Sequence, residues 1–225
     1  MKVSAIIAAG GKGSRLGAPG GKQLLELSGK PILIHTLERI IPEVQEVVVV
    51  IDSSHLEILE NILEKYDLNS KVASIVPGGE SRAQSVKNGF YKTRTDSDLI
   101  LIHDGARPFI KKEQIQAVIK AAENNGAAVL CVKVKDTIKQ EVEGSVKGTP
   151  DRKNLWAAQT PQVIKRELLS EAYTKLKDWQ NITDDVQLVE KLGKKVKIVE
   201  GSYDNIKITT QEDLLIAEAM LKEQK

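Results

Sequence analysis

Several stretches of this 225-residue chain combine cations, carboxylates and glycines in ways suited to phosphate chemistry. The first is AIIAAGGKGSRLGAPGGKQ, residues 5–23, in which a short apolar run feeds a glycine-rich loop carrying Lys12, Arg15 and Lys22. Glycines let backbone amides approach an anion, while Arg offers a planar fork and Lys a mobile point charge. Two familiar templates fail here. Lys22 follows Gly21, but Leu16 and Gln23 stand where a P-loop needs glycine and a hydroxyl. Gly11 and Gly13 begin a dinucleotide fingerprint that Leu16 breaks. What remains is either a loop able to wrap a polyphosphate or a surface turn with solvated charges.

In LILIHDGARP, Asp104 ends a run apolar enough to be buried. A carboxylate there faces a ligand crevice and offers a hard oxygen to Mg²⁺, or it caps a turn. Arg107 is placed to neutralise phosphate or to pair with Asp104. His103, with no His or Cys beside it, reads as a hydrogen-bonding group and not a metal ligand. In VPGGESRAQSVKNG, Gly78 and Gly79 allow close approach to a flat ligand, and Ser81 is a helix N-cap candidate. Arg82 and Ser85 lie within reach of a base or its sugar. Lys207, between Ile206 and Ile208, either guards an edge strand or makes a second anion site. Thr210 and Asp213 have the spacing of a capping arrangement.

The elements that must position these residues alternate between strand and helix patterns through residue 133. KVSAIIAA, EVVVVID, KVASIVP, SDLILIHD and AAVLCVKV are β-branched or apolar runs, separated by amphipathic stretches at helical spacing. This order implies an α/β, Rossmann-like, open and mostly parallel sheet with helices on both faces. Ligands in such sheets bind at the carboxyl ends of the strands, so the loops at 9–22, 78–82 and 103–108 are the expected site. Residues 133–160 break the alternation and read as a projecting β-hairpin arm, with its turn at EGSVKG. A lone hairpin is marginal and must pack on something, most simply a second copy of the chain. A helix near 165–177, another after ITDD, the strand KKVKIVEG and a last helix from Thr210 complete one domain over residues 1–225.

With 33 Lys and Arg against 31 Asp and Glu, the charge is nearly balanced and gives no reason to expect nucleic acid as a partner. No apolar run reaches membrane-spanning length, and the opening strand pattern is too short for a signal-peptide core. Cys131, the single cysteine, excludes an intramolecular disulfide and reads as a small buried hydrophobe. These features imply a cytoplasmic protein.

Seven segments then occur in one order from residue 8 to residue 209: AAGGKGSRL with KQ, GGESRAQSV, HDGARPF, DTIK, QTPQ, ITDD and EGSYDNIKIT. Together they resemble the 2-C-methyl-D-erythritol 4-phosphate cytidylyltransferases of non-mevalonate isoprenoid biosynthesis. The resemblance implies attack of the alcohol phosphate on the α-phosphorus of CTP with Mg²⁺ or another divalent cation, giving the CDP-alcohol and pyrophosphate. It further implies that Arg15 and Lys22 stabilise transition-state charge, with Arg152 and Lys207 also in the catalytic set. Ala8, Ala9, Gly10, Gly11, Gly13, Gly79, Glu80, Arg82, Ser85, Gly105 and Ala106 would line the nucleotide. Asp104 would hold the metal and, with Arg107, Arg152, Thr160, Thr183 and Lys207, the alcohol phosphate. Arg152 would reach the partner subunit from the arm of a homodimer. The family usually has proline where this chain has Gly21, which implies a loop that is mobile without CTP. A ribitol 5-phosphate cytidylyltransferase is the close alternative, and a non-catalytic nucleotide-binding regulator is the alternative of another class.

Overall fold

The computed structural model describes residues 1–11 and 21–223. Its apolar runs become β1 (Val3–Ala8), β4 (Glu46–Ile51), β5 (Ser74–Pro77), β6 (Leu99–Asp104) and β7 (Ala127–Lys133). Two short strands, β2 (Glu26–Leu27) and β3 (Lys30–Pro31), pair with each other after the first loop. Between the strands run α1 (Ile32–Ile40), α2 (Leu56–Lys65), α3 (Arg82–Phe90) and α4 (Lys112–Asn125). The chain continues through β8 (Gln140–Val142), β9 (Ser145–Gly148), β10 (Trp156–Lys165), α5 (Arg166–Lys175), α6 (Gln187–Lys191), β11 (Lys197–Glu200) and α7 (Gln211–Glu223).

The main sheet has the order β11-β7-β10-β6-β1-β4-β5. Strands β1, β4, β6 and β7 read as near-continuous apolar runs because both faces are covered. Ala5 and Ile7 pack with Leu33, Leu37, Leu59 and Val118, which puts α1, α2 and α4 on one face. Ile6, Val50 and Ile102 pack with Val86, Phe90, Leu169 and Leu188, which puts α3, α5 and α6 on the other. From β1 the chain runs outward through β4 to β5, then crosses back to β6 on the opposite side of β1. Connections leaving in opposite directions open a crevice at the carboxyl ends of β1 and its neighbours. Register brings the tips together, with Ala8 level with Asp104 and with Val50.

One boundary of the sequence reading needs correction. The arm expected over 133–160 ends earlier, because β10 begins at Trp156 and pairs antiparallel with both β6 and β7. WAAQTPQVIK carries no local mark of a central strand; its polar Gln159, Thr160 and Gln162 lie at a register shift. Only long-range pairing places it. The projecting part is the β8–β9 hairpin with its flanking loops, exposing Val142 and Val146. Lys207 is also corrected: the 202–210 stretch is not a strand. Ile208 holds it down by donating its N–H to Ala106 O at 2.9 Å, so an edge-guarding role has no edge to guard.

Helix α3 lies unusually close to the sheet because Gly89 has no side chain. A Cβ there would stand 2.7 Å from Ile6 Cγ2 and 2.8 Å from Val50 Cγ2, both on stiff β-branched side chains. Replacing Gly89 by Ala would gain about 1 kcal/mol of helix propensity in an exposed helix. Here the overpacking wins, and Gly89→Ala should lower stability by about 1–3 kcal/mol, read from urea denaturation midpoints. An unchanged or higher midpoint would contradict the close approach.

Candidate active site

A cavity of about 470 Å³ opens at the carboxyl ends of β1, β4, β5 and β6. Of the residues singled out in the sequence, Ala8, Gly10, Gly11, Gly79 and Glu80 line it, as do Arg82, Ser85, Asp104, Ala106 and Lys207. Among the described residues, Gln23, Asp52, Ser53, Gly78 and Ser81 make up the rest of the wall. Asp52 and Ser53 were missed in the sequence, although their position directly after the apolar run of β4, as Asp104 ends that of β6, was the signal that could have found them. Ala9 and Gly105 lie just behind the wall. Ala9 N donates to Val50 O at 2.7 Å and Gly105 N to Ala8 O at 3.0 Å, extending the sheet bonding past the strand ends.

The turn from β5 into α3 is held tight by its own hydrogen bonds. Ser81 caps α3, its side chain accepting from Gln84 N at 3.1 Å. Ser85 Oγ donates to Ser81 O at 2.9 Å and accepts from Gly79 N at 3.0 Å, which tightens the turn. Gly79 is required there, since a Cβ would fall 2.1 Å from Gln84 Cγ.

Opposite that turn is a charge cluster centred on Asp104, which is 6% exposed. Its Oδ2 lies 2.8 Å from Lys207 Nζ and 3.4 Å from Arg107 Nε. Its Oδ1 lies 3.4 Å from Arg82 Nε and Nη2. Burial alone would raise this carboxyl's pKa, but Arg82, Lys207 and Arg107 hold it well below the usual range. A second carboxylate, Asp185, was inside the quoted ITDD stretch but had no assigned role; its Oδ2 sits 2.7 Å from Arg82 Nη2. Arg107 is occupied within the protein: besides Asp104, its Nη1 donates to Asn205 O at 2.7 Å. It therefore holds Asp104 in place and is not part of the cavity wall. Among the described residues, no three His, Cys, Asp or Glu side chains form a metal cage. Mg²⁺ commonly takes one or two carboxylates and fills its remaining positions with phosphate oxygens and water, so Asp104 fits a cation that arrives with a polyphosphate.

Beneath Asp104 lies a buried polar relay. Asp104 N donates to Thr160 Oγ1 at 3.0 Å, and that hydroxyl is 3.0 Å from His103 Nδ1. His103 Nε2 lies 3.2 Å from Arg107 O. A carbonyl only accepts, so Nε2 carries the proton, and Nδ1 accepts from the Thr160 hydroxyl. The ring is neutral because burial lowers its pKa to about 4. Thr160 thus stands under the cavity, not in its wall as expected: it fixes the tip of β6 to β10.

The remaining expected residues are elsewhere. Thr183 is exposed in the loop before α6, accepting from Gln187 Nε2 at 3.3 Å. Arg152 is exposed at the base of the arm, donating from Nη1 to Lys135 O at 2.5 Å. Gly13 and Arg15 lie outside the described residues, as does the Lys22 side chain, so the expected loop mobility falls there too. The Lys22 backbone begins a 3₁₀ turn, with Leu24 N donating to Gly21 O. Gly21 precedes it at φ 79°, a value closed to proline.

The 2-C-methyl-D-erythritol 4-phosphate cytidylyltransferase (IspD) family model matches residues 3–223. The enzyme of that name from Desulforamulus reducens is 43% identical over 98% of this chain and 96% of its own length. Its counterpart from Caldanaerobacter subterraneus subsp. tengcongensis is 46% identical over 99% of this chain and all of its own. The crystal structure of 4-diphosphocytidyl-2C-methyl-D-erythritol synthase from Anaerococcus prevotii superposes with a TM-score of 0.83 at 36% identity, covering 98% of both chains.

The neutral His103 makes stability depend on acid. Unfolded, the imidazole protonates near 6.5; folded, it does so only near 4. Between those values the unfolded chain binds more protons, so stability rises with pH and is lost as pH falls through the window. The loss approaches an order of 3 kcal/mol at the acid end. Asp104, held below its ordinary value of 3.8, acts only at lower pH. Urea denaturation between pH 7 and pH 4 should show this slope, and His103→Gln should flatten it. Equal slopes in both proteins would reject the neutral ring.

Proposed function

This chain belongs to the 2-C-methyl-D-erythritol 4-phosphate cytidylyltransferase family, and on that premise we propose how its cavity carries out the reaction. The chain is a nucleotidyltransferase that transfers CMP from CTP to 2-C-methyl-D-erythritol 4-phosphate, releasing pyrophosphate and the CDP-alcohol. The observation that carries the assignment of roles is the pairing of a capped glycine turn with a cation-held Asp104 across one cavity. The turn suits a pyrimidine, and the charged wall suits two sets of phosphates.

Attack by one phosphate oxygen on another phosphorus needs little covalent help from protein. It needs alignment and neutralisation of the charge that builds at the α-phosphorus and on the leaving pyrophosphate. In this reading the backbone and side chains of Gly79, Glu80 and Ser85 hold the cytosine, and Ala8, Gly10, Gly11 and Ala106 run along the nucleotide. Gly13 belongs to the same loop. Arg15 and Lys22 neutralise the transition state, and Lys207 meets the alcohol phosphate. Asp104 holds a divalent cation, Mg²⁺ for preference, which when bound supplies further neutralisation at the phosphates. Arg107, Thr160 and His103 keep Asp104 at the cavity.

The reading includes a homodimer in the cytoplasm. Exposed Val142 and Val146 on the hairpin support a second copy as its packing partner. Arg152 and Thr183 then join a site completed across that interface. A single buried thiol suits a reducing compartment: burial and, secondarily, Asp184 push Cys131 up to about 11. The near-balanced charge supports small-molecule partners, and no described helix is long and apolar enough to cross a membrane.

Pyrophosphate release with CTP and methylerythritol phosphate should exceed that with other nucleoside triphosphates or with ribitol 5-phosphate; preference for ribitol 5-phosphate would overturn the substrate. Lys22→Ala should lower kcat far more than it raises KM, because its contact strengthens in the transition state. A change confined to KM would remove it from that role. Lys207→Ala should raise KM for the alcohol phosphate by about tenfold, the weight of one charge-assisted contact, with CTP affinity little changed. Unaltered alcohol-phosphate affinity would exclude Lys207.

A further inference from the structure

Asp185 is a fully buried carboxylate that the reaction above does not use. Burying such a group costs several kcal/mol unless a partner offsets it, so its placement calls for a reason. The chain takes trouble to hold it there. Gln162, 1% exposed on β10, accepts from Asp185 N at 2.8 Å and from Val186 N at 3.0 Å through Oε1. Its Nε2 donates to Gln159 O at 3.4 Å. A central strand therefore pins the loop and points the carboxylate at α3. Asp185 meets Arg82 as a charge contact: Oδ2 is 2.7 Å from Nη2 without an aligned hydrogen bond, and Oδ1 has no hydrogen-bond partner among the described residues. Burial raises this carboxyl's pKa, with Arg82 opposing.

The Arg82 guanidinium thus stands between two carboxylates, at 2.7 Å from Asp185 and 3.4 Å from Asp104. A guanidinium released from one would make a forked pair with the other. The two Arg82 N–H groups that now reach Asp104 Oδ1 only at 3.4 Å would then close on it, in addition to Lys207 and Arg107 on Oδ2.

We infer that Asp185 is a positioning residue: it draws the Arg82 guanidinium back from Asp104 and so keeps Asp104 available to the divalent cation that accompanies the nucleotide. The inference rests on the proposed role of Asp104. It assigns Arg82 to setting the strength of that carboxylate as a ligand, beyond lining the cavity.

The test is calorimetric titration of CTP, with and without Mg²⁺, into the wild-type protein and into Asp185→Asn. In the variant Arg82 closes on Asp104, so the gain in CTP affinity on adding Mg²⁺ should shrink by about fivefold or more, while metal-free affinity stays within about twofold. The Mg²⁺ concentration for half-maximal pyrophosphate release should rise in step. A purely structural role would lower the melting temperature and the active fraction, and leave the metal dependence alone; that result overturns the inference. In an Arg82→Gln background the group through which Asp185 acts is gone, so adding Asp185→Asn should move the metal dependence by less than about twofold. Additive effects would also overturn it. Should Asp185→Asn not fold, Arg82→Lys gives the opposite sign. One ammonium held by Asp185 does not also reach Asp104, so the Mg²⁺ requirement should fall by about twofold or more, and a rise counts against the inference. Absence of CTP binding by the wild-type protein would sink the proposed function instead, which separates the two failures.

Discussion

The site is organised around one constraint: a carboxylate buried at the tip of β6 must be compensated. Asp104 cannot remain charged at 6% exposure without cations nearby, and Arg82, Arg107 and Lys207 meet that need from three separate parts of the chain. Arg82 begins α3, Arg107 follows β6, and Lys207 lies in the loop after β11. The compensation therefore ties together segments more than 100 residues apart, and two of the cations that keep Asp104 ionised, Arg82 and Lys207, also line the cavity.

The neighbouring polar groups extend that principle inward. Thr160 and His103 lock the backbone of Asp104 and Arg107 from below, with the imidazole neutral and its proton committed to Arg107 O. Gln162 does a similar service for Asp185. Both devices depend on β10, the one antiparallel strand among the described strands of the main sheet. Its polar side chains at the register shift look out of place in a central strand until their partners are seen. Thr160 and Gln162 satisfy backbone N–H groups that would otherwise be orphaned, and Gln159 donates to Ser202 O and accepts from Asn205 Nδ2.

Much of the architecture was legible locally. Strands β1, β4, β5, β6 and β7 are apolar runs separated by helical periodicity, because covering both faces of a parallel sheet leaves few polar positions. The loops at their carboxyl ends were legible for the same reason. Legibility failed at β10, where WAAQTPQVIK reads as the returning leg of a hairpin, and at Lys207, where IKI reads as strand but is held as loop by Ile208. It failed for Asp185 because a carboxylate in a polar loop looks solvated, whereas this one is fully buried, its N–H held by Gln162 of β10 and its carboxylate beside Arg82 of α3.

The sequence by itself determined the fold class and the family, since these depend on residue type, order and local periodicity. Tertiary structure alone decided which charges meet. Asp104 faces Arg82, Lys207 and Arg107, Thr160 lies below the wall and not in it, and Asp185 competes for Arg82. The physical reason is range. Periodicity is a local property of the chain, whereas the strength of a charge pair depends on separation and burial, which long-range strand pairing alone sets.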